Sequence, residues 1–246
     1  MANLRYGLKE VANVIFFDVA TNKPVIFFDT LKVSTIENSS ESTEARGGQG
    51  NSKLMSWDFG RTATLTMQDA LLSDTSLSLL AGDVVKTSGI TAVGREVGVI
   101  PASPFKITLT ETPIASSVTA YKVQNGVMTT ELVAFTVSGK DVTFTSGAVQ
   151  NDQVMVFYTY SVTNVNASMV TFSGSKFPAT YKVVGDTVVR GDDGVDRKMQ
   201  FMIPKAKLQS SFTLTMEAEN VSTFDFTLDI LVEAGTNKLY DIIRIN

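Results

Sequence analysis

Residues Trp57–Gly82 read WDFGRTATLTMQDALLSDTSLSLLAG. In the first half, Trp57, Phe59, Ala63, Leu65 and Met67 alternate with Asp58, Gly60, Thr62, Thr64 and Thr66. Strict alternation predicts a strand with one buried and one polar face, and places Trp57 in the core rather than on a ligand platform. From Asp69 the period changes. Leu71, Leu72, Leu77, Leu79 and Leu80 crowd one side of a short helix, Ser73 is placed to cap its second half, and Gly82 stands where a left-handed stop belongs.

The same alternation returns near the C-terminus. Phe212, Leu214, Met216 and Ala218 alternate with Thr213, Thr215, Glu217 and Glu219; Phe224, Phe226, Leu228 and Ile230 alternate with Asp225, Thr227 and Asp229. Strands over 210–219 and 222–233 are predicted as antiparallel partners of the strand over 56–68. The charges on their polar faces are Asp58, Glu217, Glu219, Asp225, Asp229 and Glu233, while Arg61 falls on the apolar parity.

Composition narrows the chemistry. The 246 residues are 43% hydrophobic, enough for one large or two modest cores. The chain has no cysteine and no histidine, which excludes disulfides, thiolate zinc sites, cysteine nucleophiles and imidazole bases together. A net charge of −4 opposes nucleic-acid affinity, which needs a basic footprint. No apolar run is long enough for a membrane helix, and MANLRYGLKEV has no signal-peptide layout, so no membrane insertion and synthesis in the cytoplasm are expected. Carboxylate pairs such as Glu217/Glu219 and Asp225/Asp229 share a strand face as a glycosidase pair would, but a solvated acidic face accounts for them more simply. The chain reads as a non-enzyme without cofactor or metal.

Two VIFFD runs, Val14–Asp18 and Val25–Asp29, flank a turn-like segment and predict a hairpin buried on both faces. Residues 38–53, NSSESTEARGGQGNSK, read as a long polar loop. Gly47, Gly48, Gly50 and Lys53 do not match the phosphate-binding pattern G-x-x-x-x-G-K-[ST], which leaves a surface loop or an arm ordered against a neighbouring subunit, with Glu41, Glu44 and Arg46 as further contact residues. Residues 83–100 form a Gly-interrupted β region. After Pro101 and Pro104, short strands at regular spacing, with turns at Asn125-Gly126, 138–141 and 150–152, predict a small Ig-like β-sandwich over 101–165. Beyond it, two longer strands flank the turn Gly191-Asp192-Asp193-Gly194, where Asp192, Asp193 and Asp196 lack the spacing of a calcium loop.

Taken together, DFGRTATLTMQDALLSDTSLSLLAG (58–82), MQFMIPKAKLQSSFTLTMEAENVSTFDFTLDILVE (199–233) and LYDIIRI (239–245) resemble the major tail tube proteins of tailed bacteriophages. The likeness covers roughly residues 1–100 and 166–246, with 101–165 as an insertion. It implies a mainly β fold, a tail-tube-like sandwich or barrel with a short flanking helix. It also implies hexameric rings stacked into a tube in the virion tail, assembled in the host cytoplasm. Partners would be other copies of the chain, with sheath, baseplate and tape-measure proteins beside them, and DNA would pass through the lumen without specific binding. Asp58, Glu217, Asp225 and Asp229 are the expected lumen-lining residues. Alternatives are a baseplate or head-decoration protein, or a carbohydrate-binding or adhesin β-module.

Overall fold

The computed structural model describes residues 5–8, 10–164, 166–214, 216 and 223–245. The fold is mainly β, with one helix among the described residues. It divides into two compact units, Met1–Val85 with Val170–Asn246, and Lys86–Met169.

The first unit is built on one antiparallel sheet. Its strands are β1 (Tyr6–Leu8), β2 (Asn13–Asp18), β3 (Pro24–Phe28), β4 (Leu31–Gly47) and β5 (Ser52–Asp69) from the first stretch of chain. The chain contributes β6 to β12 to the second unit and returns with β13 (Thr180–Gly191), β14 (Asp196–Leu208), β15 (Phe224–Ile230) and β16 (Asp241–Ile245). The order is β3-β2-β13-β14-β15-β5-β4, with β1 beside β13 and β16 beside β14.

The β13–β14 hairpin is the spine. One end of the ribbon is flanked by β2 and β15, and its turn end by β1 and β16. The sheet also curls over itself. Phe28 on β3 and Phe226 on β15 have ring centroids 5.2 Å apart, whereas four strand spacings in a flat sheet would separate them by about 19 Å. Val14, Phe16, Leu65, Met67, Ile203, Leu208 and Leu228 are buried in the core so enclosed.

Helix α1 (Asp74–Ala81) adds Leu79 and Leu80 to that core. Ser73 caps it as predicted: its hydroxyl accepts from the Ser76 amide, and the Ser76 hydroxyl accepts from the Ser73 amide, each at 3.0 Å. Gly82 ends the helix at φ +62, and a Cβ there would sit 2.2 Å from the Phe177 carbonyl oxygen. Leu71 and Leu72 depart from the prediction. They precede the helix and are exposed, because the buried Asp69 carboxylate accepts from the Leu71 amide and the Thr30 hydroxyl, which holds the chain in a turn before Ser73.

Three further expectations are corrected. Residues 209–214 and 216 are not in a strand: Phe212 packs against Phe172 and Phe224, while Leu214 and Met216 are exposed. The remainder of the predicted 210–219 strand, including Glu217 and Glu219, lies outside the described residues. The VIFFD hairpin forms, with Val14 opposite Phe28 and Phe16 opposite Ile26, but it buries one face only, leaving Phe27 exposed at the sheet edge. Residues 38–53 are not a loop. They are the ends of β4 and β5, joined by a turn over 48–51.

The second unit holds β6 (Thr91–Val99), β7 (Lys106–Thr108), β8 (Thr119–Gln124), β9 (Val127–Leu132), β10 (Phe135–Ser138), β11 (Asp141–Phe144) and β12 (Gln153–Ser161). They form a four-stranded sheet, β6-β12-β8-β9, and a three-stranded sheet, β10-β11-β7, which share a core of Ile107, Ala120, Val142, Phe144, Val154 and Val156. The two ends of the unit are tied together, since the Lys86 and Met169 amides each donate to the other residue's carbonyl at 2.9 Å. β6, placed by sequence in the first domain, pairs with β12 along its length and so lies in this unit.

Candidate assembly surfaces

The β4–β5 hairpin has two halves of different character. Near its base, Ala63, Leu65 and Met67 are buried, and Thr62, Thr64, Thr66 and Gln68 lie on the opposite face. Beyond residue 62 towards the tip, neither strand buries a residue. This distal ribbon is an arm.

Gly60 marks the change. Ser39 pairs with Thr62, and the next pair is Glu41 with Phe59, so β5 holds one residue more than β4 at this point; Gly60 takes φ +59 to accommodate it. A one-residue bulge exchanges the faces of a strand. Trp57 and Phe59 therefore continue the threonine face instead of the core face, and they are 53% and 51% exposed. The strict alternation from Trp57 to Met67 is interrupted, and the expected core role of Trp57 fails for this reason. Arg61 sits within the bulge and is exposed.

The inter-subunit residues predicted from sequence all lie on the arm. Glu41 faces Phe59 across the ribbon, and Gly47 ends β4. Gly48 and Gly50 supply positive φ angles of 78° and 87° to the turn. Glu44 accepts an ion pair from Lys53 at 2.5 Å and another from Arg46 at 2.6 Å, and these hydrogen bonds, Lys53 foremost, hold its carboxyl below the ordinary glutamate range.

The lumen-lining residues predicted from sequence separate. Asp225 pairs with Gln68 and Asp229 with Thr64, so both stand on the threonine face of the β15–β5–β4 strands. Asp225 accepts from the Gln68 amide nitrogen at 3.0 Å, and Asp229 from that of Gln209 at 2.8 Å. Asp58 pairs with Ser42 beyond the bulge, on the other side of the ribbon from these two. Glu217 lies outside the described residues. Glu37 joins the threonine face opposite Thr64. Sequence reading missed it because polar-face charges were sought only on the strands predicted over 56–68, 210–219 and 222–233.

At the β13–β14 turn the aspartates are engaged by arginines. Arg190 Nε lies 2.6 Å from Asp196 Oδ1, and Arg197 Nη2 lies 2.6 Å from Asp193 Oδ2. Hydrogen bonding from Arg197 lowers the Asp193 carboxyl to about 2. Among the described residues no helix is long and apolar enough to cross a membrane.

A family model, described as the YomU/Tube protein family, matches residues 6–245. No curated protein matches the chain.

Proposed function

The chain belongs to the YomU/Tube protein family, making it a structural protein of a phage tail tube, and from that premise we propose that it polymerises as stacked hexameric rings around a lumen that conducts DNA. The observation that supports polymerisation is the arm, a solvated ribbon that buries nothing within its own subunit yet carries Leu54, Met55, Trp57 and Phe59 on its surface. Such a surface is costly on a free monomer and becomes a joint once a neighbour covers it.

In this reading the arm makes the subunit contacts, and the threonine face with Glu37, Asp225 and Asp229 lines the lumen. Carboxylates repeated around a ring repel phosphates, and a wall that repels DNA lets it slide. The second unit is an Ig-like insertion on the outside of the tube. Its tied ends suit insertion into a host fold, because they leave the flanking chain close together. Sheath, baseplate and tape-measure proteins would meet the tube at its outer wall, its end and its lumen.

The test is to replace residues 42–58 with an Asn-Gly turn and image the purified protein by negative stain. The expected product is a folded subunit or a single ring with no long tubes. Normal tubes from this variant would remove the arm from assembly. Lysine at Asp225 and Asp229 should leave tubes intact and slow DNA ejection, most strongly at low salt.

A further inference from the structure

Near the base of β4 and β5 the first unit opens into an apolar cleft of about 280 Å³. Leu65, Ala12 and Phe201 form its floor, and all three belong to the core. Leu8, Ile36 and Ile242 form its walls, and Glu10 stands at its mouth. An open apolar space of this size against core side chains has room for a further apolar side chain. A cavity of about 150 Å³ already takes a benzene ring, so this cleft has room for an indole.

We propose that the cleft receives Trp57 from the arm of a second copy of this chain. The subunit's own Trp57 cannot reach it. Leu65, on the floor, and Trp57 are eight residues apart on one strand, about 27 Å at the usual rise, and the Gly60 bulge turns Trp57 to the opposite face. The arm offers a tryptophan with Phe59 and Met55 beside it. Because arm and cleft are different patches, the contact is heterologous, the type that generates rings or filaments instead of closed pairs. The inference rests on the tube reading above and names the joint within it.

The chain's single tryptophan and lack of cysteine make the test direct. Trp57 emission is followed as the native protein assembles, and separately prepared Met55→Cys and Leu8→Cys chains are mixed, assembled and oxidised. The expected results are a blue shift on assembly and a cross-linked dimer from the mixture that neither chain forms alone. Trp57→Ala should raise the concentration needed for assembly by about 30-fold, as loss of a central aromatic anchor does, while Trp57→Phe retains most of the assembly. Tubes whose Trp57 stays water-exposed, with no cross-link, leave the cleft to some other occupant; they overturn this proposal and spare the tube reading. A chain that never assembles overturns both.

Discussion

The base and the arm of the β4–β5 hairpin are one continuous pair of strands with one hydrogen-bonding pattern, yet they live in different solvents. At the base every second side chain of β5 is sealed against β2, β3, β14 and β15; on the arm the same kinds of residue meet water. Leu65 is 0% exposed and Trp57 is 53% exposed, eight positions away. Hydrophobicity alone does not distinguish them. What differs is whether the curled sheet supplies a second layer, and the single extra residue at Gly60 turns the arm's aromatic side chains away from the core side at the point where that layer ends.

The largest effect expected from this contrast is in stability. Leu65→Ala should destabilise the free subunit by about 3 kcal/mol, as a fully buried leucine does when the cavity relaxes only in part. Trp57→Ala, a larger truncation, should change it by less than about 0.5 kcal/mol, because the side chain supports nothing in its own subunit. Denaturant unfolding of both variants measures the difference. Equal losses would show that the arm folds back as part of the core.

A smaller effect tests the boundary itself. Gly60→Val forces a β-branched residue into the left-handed region and should cost about 1–2 kcal/mol if the bulge is retained. A cost near zero, together with a blue-shifted Trp57 in the free subunit, would mean that the strand has shed the bulge and turned its aromatic face inwards.

The smallest effect concerns the charges on the arm. Lys53 and then Arg46 lower the Glu44 carboxyl below its ordinary value, so the ion cluster contributes above the ordinary glutamate range and is lost as pH falls through the lowered value. Carboxyl NMR should show Glu44 titrating at a lower pH than a solvated glutamate, and moving back up in Lys53→Met. Global unfolding should not respond to that titration, because the cluster is solvated and remote from the core. A matching shift in the unfolding midpoint would place the arm within the cooperative unit.

Much of the fold was legible because its signals are local. The Ser73 cap and Gly82 stop act within one helical turn, the β13–β14 turn lies between two strongly alternating runs, and the second unit's strands are punctuated by Asn-Gly and other turns. The apolar-in pattern of Phe224, Phe226, Leu228 and Ile230 also held, since β15 is covered on that face by the curled sheet. Of the candidate site, the arm residues were found together, although as a loop: polarity and glycine content mark exposure, and a solvated ribbon shares that composition with a loop. Asp225 and Asp229 were found on one face, while Asp58 was grouped with them by counting parity across a bulge that parity cannot detect.

The sequence by itself determined the β class, the helix ends, the main hairpins and the absence of cysteine and histidine chemistry, because each depends on residue type and on neighbours a few positions away. Only the tertiary structure decided which half of a long strand is core and which is arm, that residues 209–214 leave the sheet, and that β6 belongs with β12. Those outcomes depend on register and on layers contributed by residues far apart in the chain. A face is buried only when another part of the chain reaches it.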